Sequence, residues 1–214
     1  MSLPLRMNTF RLHTRFHTIA LLLSFVWLSL LFACSDAVYL PKPRAYPKVL
    51  YPEKAYVSTE ADYCAFTFER PVYGEMVQDT LFFGEKPLHP CWFNLEVSAL
   101  NAKIHCSYAP IRSKADFDEL VADAFTITQK HNQKASYIEE YRFDRPGDRV
   151  HGMIFEVEGP VASSYQFFVT DSVRHFLRGS LYFDTQARPD SLAPVIAFLK
   201  KDVDHMLETL HWKP

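Results

Sequence analysis

The chain has 214 residues, a formal net charge of −2, and 48% apolar residues, with 15% aromatic. That composition excludes a disordered chain, and the near-neutral balance, with no basic run, excludes nucleic acid as a partner.

The first 33 residues read as a lipoprotein signal peptide. Arg6, Arg11 and Arg15 form a basic start with no acidic residue, Ile19 to Phe32 carries no charge, and Leu31-Phe32-Ala33-Cys34 closes the segment. In this pattern the peptide is cut before Cys34 and the cysteine takes the acyl chains. The uncharged run is shorter than the roughly 20 residues that cross a bilayer core. The alternative is an uncleaved anchor in which Cys34 is incidental. Lipidation predicts a bacterial chain anchored to an envelope membrane, with its domain facing the periplasm. Each buried CH₂ contributes about 0.8 kcal/mol, so several acyl chains on Cys34 hold it firmly.

Residues 34–52 contain Pro41, Pro43, Pro47 and Pro52 and are expected to form a semi-rigid tether. Tyr46, Val49, Leu50 and Tyr51 are too apolar for a pure spacer and are expected to lie on the domain as an edge strand. One domain is expected over 53–214.

Cys64 to Phe68 and Tyr73 to Gln78 are predicted strands, separated at Pro71. A loop from Asp79 to Pro90 follows. Trp92 to Val97 alternates, with Phe93, Leu95 and Val97 on one face, and Lys103 to Tyr108 comes next. A helix is predicted from Lys114 to Asn132, with Ser113 as its N-cap and Asp116 at the capping-box position. Phe117, Leu120, Val121, Ala124, Phe125 and Thr128 form its apolar stripe. Four strands are then predicted: Tyr137 to Phe143, Val150 to Val157, one through Tyr165, Phe167 and Val169, and one through Leu177 to Phe183. The last helix is predicted from Leu192 to Leu210, capped by Asp190 or Ser191. The order is that of an α+β fold, an antiparallel sheet covered by two amphipathic helices. It resembles the PsbP/Mog1-like α-β-α sandwiches, which carry helices on both faces.

With Cys34 committed to lipid, three cysteines allow one disulfide. Cys106 shares a strand face with Ala102, Ile104 and Tyr108, which suits a core residue. Cys64 and Cys91 both lie at the start of apolar segments near turns, which favours a Cys64–Cys91 bridge. It would close a loop of about 28 residues and stabilise by about 3.5 kcal/mol. The alternative is three unpaired thiols.

The chain carries no GxSxG, HExxH, P-loop, GxGxxG or CxxC pattern, so no catalytic residue, metal site or cofactor is assigned. Ser163, Ser164, Asp171 and His175 form no triad by sequence adjacency. Asp202, Asp204, His205 and Glu208 are expected on the wet side of the last helix. Trp92 and Trp212 are expected to be packing residues. Arg174, His175 and Arg178, with Lys42 and Arg44 in the tether, are the candidate partner-binding residues. Their alternative role is solvated or internally paired charge.

Several stretches together are similar to the gliding motility lipoprotein GldD family of the Bacteroidota. They include Pro41-Lys42-Pro43-Arg44, Leu50-Tyr51-Pro52-Glu53-Lys54-Ala55-Tyr56, Phe68-Glu69-Arg70-Pro71-Val72-Tyr73 and Cys91-Trp92-Phe93-Asn94. The most specific block is Thr170-Asp171-Ser172-Val173-Arg174-His175-Phe176-Leu177-Arg178-Gly179-Ser180-Leu181-Tyr182-Phe183. Cys106 and Ala45 depart from the pattern. The resemblance implies a membrane-tethered, periplasm-facing accessory of gliding motility, linked to type IX secretion. It implies no enzymatic activity and partners among other motility proteins of the envelope. Two rival readings are a periplasmic small-ligand or glycan-binding module and an unrecognised envelope hydrolase.

Overall fold

The computed structural model describes residues 17, 19–25, 27, 48–81, 84–185 and 188–214. The chain divides into two units, Met1–Tyr46 and Pro47–Pro214. In the first, the described residues are helical. Among the described residues no helix is long and apolar enough to cross a membrane. Cys34, Lys42 and Arg44 lie outside the described residues.

The second unit contains β1 (Tyr56–Glu60), β2 (Phe66–Pro71), β3 (Glu75–Gln78), β4 (Trp92–Val97), β5 (Ala102–Pro110), α1 (Lys114–Gln129), β6 (Tyr137–Arg145), β7 (Val150–Glu158), β8 (Ser163–Thr170), β9 (His175–Phe183), α2 (Pro189–Glu208) and β10 (His211–Trp212). One sheet of seven strands has the order β3-β4-β5-β9-β8-β7-β6, and a second of three has the order β1-β2-β10. Every pairing is antiparallel. The fold is therefore mixed α+β.

Strand β8 lies well inside the large sheet and is buried on both sides. Tyr165, Phe167 and Val169 enter the larger core with Leu177 and Leu181 of β9, while Phe168 enters a smaller one with Phe155 and Phe176. Every residue of β8 except Ser164 is accordingly buried, Ser163, Gln166 and Thr170 among them. Phe167 lies directly across from Gly179. A Cβ at 179 would stand 2.2 Å from the Phe167 ring, so only glycine lets that ring lie flat across β9.

The two helices cover opposite faces. Leu120, Val121, Ala124 and Phe125 of α1 pack on the Phe155–Phe168–Phe176 side. Val195, Leu199, Val203, Met206 and Leu207 of α2 join the core on the other side. Ser113 caps α1, its Oγ accepting from the Asp116 amide at 3.1 Å, while the Asp116 carboxylate reaches back to the Arg112 amide, one residue before the cap. Helix α2 begins at Pro189, about one turn before the predicted start. Proline suits the first helical position because the N–H it lacks would have no partner there. Asp190 and Ser191 thus sit inside the first turn.

The small sheet shares the α2 face of the large one. Phe66 and Phe68 of β2 lie 6.2 and 5.8 Å from the Phe93 ring of β4. Residues 48–55 form no strand, contrary to the expected edge strand, and pairing begins at Tyr56. Cys64 and Cys91 are joined with a Cα–Cα distance of 4.9 Å, and Cys106 stays a buried thiol.

Candidate interaction surface

Two hairpin tips, β6–β7 and β8–β9, lie side by side at one end of the large sheet, since His151 pairs with Thr170. The β8–β9 tip is built around one carboxylate. Asp171 is 5% exposed, and its Oδ1 accepts from the amides of Val173, Arg174 and His175 at 3.0, 2.7 and 2.8 Å. Burial alone would raise the Asp171 carboxyl, but the amide bonds outweigh it and hold the group below its usual range. Thr170 Oγ1 donates to the His175 carbonyl and accepts from the Ser172 amide. These bonds hold Ser172 at a φ of 60°. Arg149, on the β6–β7 tip, stands at a φ of 53°, a conformation that costs a non-glycine residue about 1–2 kcal/mol. The tips are tied together. His151 Nε2 meets Ser172 Oγ at 2.7 Å, and Trp212 Nε1 donates to the Arg149 carbonyl at 3.1 Å. The Trp212 ring stacks on His175, with centroids 5.0 Å apart.

The tips display Arg149, Val173 and Arg174 to solvent. The sequence grouped Arg174, His175 and Arg178, and the structure separates them. His175 is 7% exposed, and its Nδ1 bonds the Tyr108 hydroxyl at 2.8 Å. It is a core residue, because odd-numbered positions of β9 face the α2 side. Burial pulls its imidazole below the ordinary value; Arg174 and Arg149 act the same way, and Asp171 opposes them. Arg178 sits within β9 on the α1 side and lines a cleft of about 510 Å³ with Trp92, Ser107, Asp123 and Phe176. Burial lowers its guanidinium, against the pull of Tyr182 and Asp123. Arg149 was not foreseen, although its position just after the Pro146-Gly147-Asp148 turn was a signal.

A second polar cluster corrects another expectation. Asp202 is fully buried, not wet. Its Oδ1 accepts from Lys54 Nζ at 2.5 Å and Tyr56 OH at 3.0 Å, and its Oδ2 accepts from Tyr73 OH at 2.7 Å. Lys54 also donates to the Phe198 carbonyl and lies 3.7 Å above that ring. Burial lowers the Lys54 ammonium while Asp202 pulls it back up, and Tyr56 is pushed up to about 12 by burial and its bond to Asp202. Asp204 accepts from Tyr165 OH at 2.6 Å, and His205 bonds Glu69 at 2.7 Å. The expectation failed because the partners of Asp202 come from distant segments: Lys54 before β1, Tyr56 in β1 and Tyr73 after β2. The spacing did hold a signal: Asp202 lies three residues after Leu199 and four before Met206, on the apolar stripe.

Ser163 Oγ donates to the Tyr165 carbonyl, and His175 is engaged by Tyr108, so these residues do not meet as a triad. Trp212 packs as expected.

The family model for gliding motility lipoprotein GldD matches residues 36–212, which takes in every strand and both α-helices of the domain. No curated protein matches the chain. Among solved structures it is similar to cyanobacterial PsbP (CyanoP) from Synechocystis sp. PCC 6803, at 11% identity and a TM-score of 0.43, covering 84% of this chain and 97% of that one.

Proposed function

The chain belongs to the gliding motility lipoprotein GldD family, and from that premise we propose that it is a lipid-anchored accessory of the gliding apparatus that acts by contact with other envelope proteins. Cys34 carries the acyl chains, residues 34–52 lead to the domain, and the domain faces the periplasm. The machinery it serves is coupled to type IX secretion. The observation that carries this reading is the extent of the family match, which begins two residues past Cys34 and runs through β10. A contact role is supported by the two hairpin tips, where many bonds fix the backbone that carries two exposed arginines.

A small-ligand module is the second reading. It is favoured by the Arg178 cleft, where the Arg112 and Arg178 guanidinium groups and the Trp92 and Phe176 side chains line one hollow.

The test is deletion in the native host with complementation. Deletion should abolish colony spreading, and the wild-type chain should restore it. Cys34→Ser should abolish acyl labelling and leave a larger precursor. Normal spreading after deletion would overturn the motility role. Purified chain that cleaves glycan, peptide or ester at enzyme-like rates would overturn the contact role.

A further inference from the structure

We propose that the joined tips of the β6–β7 and β8–β9 hairpins, with the groove beside them, form a docking site for an acidic segment of a partner protein that also carries an apolar side chain. This rests on the contact reading above and specifies its surface and chemistry.

Charge is the first argument. Arg149 and Arg174 are exposed, and among the described residues neither has a carboxylate partner. The nearby acids are already engaged. Asp148 bonds Arg145 at 2.5 Å and His211 at 2.9 Å, Asp118 bonds Lys114 at 3.0 Å, and Asp171 is held by backbone amides. Arg142, exposed on β6, adds a third guanidinium at the groove, against one remaining rim carboxylate, Asp144. Guanidinium groups pair with carboxylates in a two-bond fork, so fixed arginines select carboxylate side chains.

The groove is the second argument. It encloses about 520 Å³ between α1 and β7, lined by Phe117, Val121, Phe125, Met153 and Phe168. The backbone of Gly152 lines it beside Met153, and the position is confined to glycine because a Cβ there would fall 1.9 Å from the Phe168 carbonyl. His151 and Ser172, which tie the two tips together, also line this groove. Arg142 thus stands in the groove itself, and the tips that carry Arg149 and Arg174 reach its edge through His151 and Ser172. Val173, 65% exposed, extends the apolar part beyond the tip.

A membrane surface fits less well. Adsorption to anionic lipid gains about 1 kcal/mol per basic residue and needs a cluster of about four to eight. Here there are three arginines, one in a concave apolar groove and two on the tips that border it, and a groove suits a side chain rather than a headgroup plane.

The experiment uses the full-length lipoprotein in its native host, with a photo-crosslinking amino acid in place of Val173. Adducts should map to a carboxylate-rich segment of an envelope protein. Arg149→Glu with Arg174→Glu should lower that capture at least about tenfold, and reversing the partner's acids to lysine should restore it. Adducts to lipid, adducts to a segment without carboxylates, or no adduct at all would overturn the site. Because this map comes from the arginine-intact chain, it decides the question even where the reversed variant is poorly folded. Capture unchanged by charge reversal would also overturn it. Failure here with spreading still lost on deletion removes the docking site and leaves the motility role standing. Normal spreading on deletion removes the motility role whatever the crosslinks show.

Discussion

Asp202→Ala should destabilise the domain more than any charge removal on its surface. Three donors converge on this fully buried carboxylate: the Lys54 ammonium at 2.5 Å and the Tyr56 and Tyr73 hydroxyls at 3.0 and 2.7 Å. Breaking a buried ion pair from one side costs about 3–5 kcal/mol, because the other charge is left without compensation. Lys54 keeps 27% of its side chain exposed and retains its bond to the Phe198 carbonyl, so the lower end applies. About 3 kcal/mol in a domain of this size corresponds to a fall in Tm of about 6–12 °C. Asp202→Asn keeps an acceptor for the tyrosines and should cost less. The assay is thermal and urea melting of the chain lacking residues 1–33, paired with limited trypsin digestion. Loss of Asp202 should also release residues 48–55 and expose Lys54 to cleavage before the rest of the domain. A Tm change under about 2 °C, with no new cleavage, would show that the cluster is not holding the segment and that burial of Asp202 carries no stabilisation.

Cys64→Ala should lower stability by about 2–5 kcal/mol in urea melts under oxidising conditions, and peptide mapping without reduction should find Cys64 linked to Cys91 and Cys106 free. Stability should also decline on acidification from about pH 6.5, the unperturbed histidine value. Burial lowers His175, His89, His105 and His131 in the folded state, so the unfolded chain takes up protons first and is favoured as pH falls. Asp204, raised by burial, acts in the opposite sense. A urea midpoint that is flat between about pH 7.5 and 5.5, or a slope unchanged by His175→Asn, would refute the assignment of His175 as a buried neutral group.

Most of the large sheet was legible because its strands alternate cleanly. Phe93, Leu95 and Val97, or Tyr165, Phe167 and Val169, declare one buried face each. The cysteine pairing was legible for the same reason, since the strand face of Cys106 marks it as core. The small sheet was not. β1 reads Tyr-Val-Ser-Thr-Glu and buries no residue fully, and β10 has two residues, too few for any period. Without that sheet nothing announces a partner for an acid on the apolar stripe of α2, and Asp202 was misplaced. The arginines illustrate a different limit. Arg174 and Arg178 are four apart, which suggests neighbours, but one ends a turn and the other lies mid-strand under α1's flank. Arg149, distant in sequence, is on the adjoining tip, and only the β7–β8 register brings that tip beside the one that carries Arg174.

The attachment of residues 51–54 has a mechanical consequence. Antiparallel strands pulled from one end separate rung by rung, and β1 is short and sits at the edge of its sheet. Tension travelling down the backbone from residue 48 does not reach that ladder first. It meets the Tyr51 ring against Phe198, 4.7 Å away, and then the Lys54–Asp202 bond. Both are fixed to α2, whose Leu199, Val203 and Met206 are rooted in the core. Strain is thereby shunted past a short edge strand into a helix rooted in the core, so a domain pulled from residue 48 should resist peeling at forces that would open β1 alone.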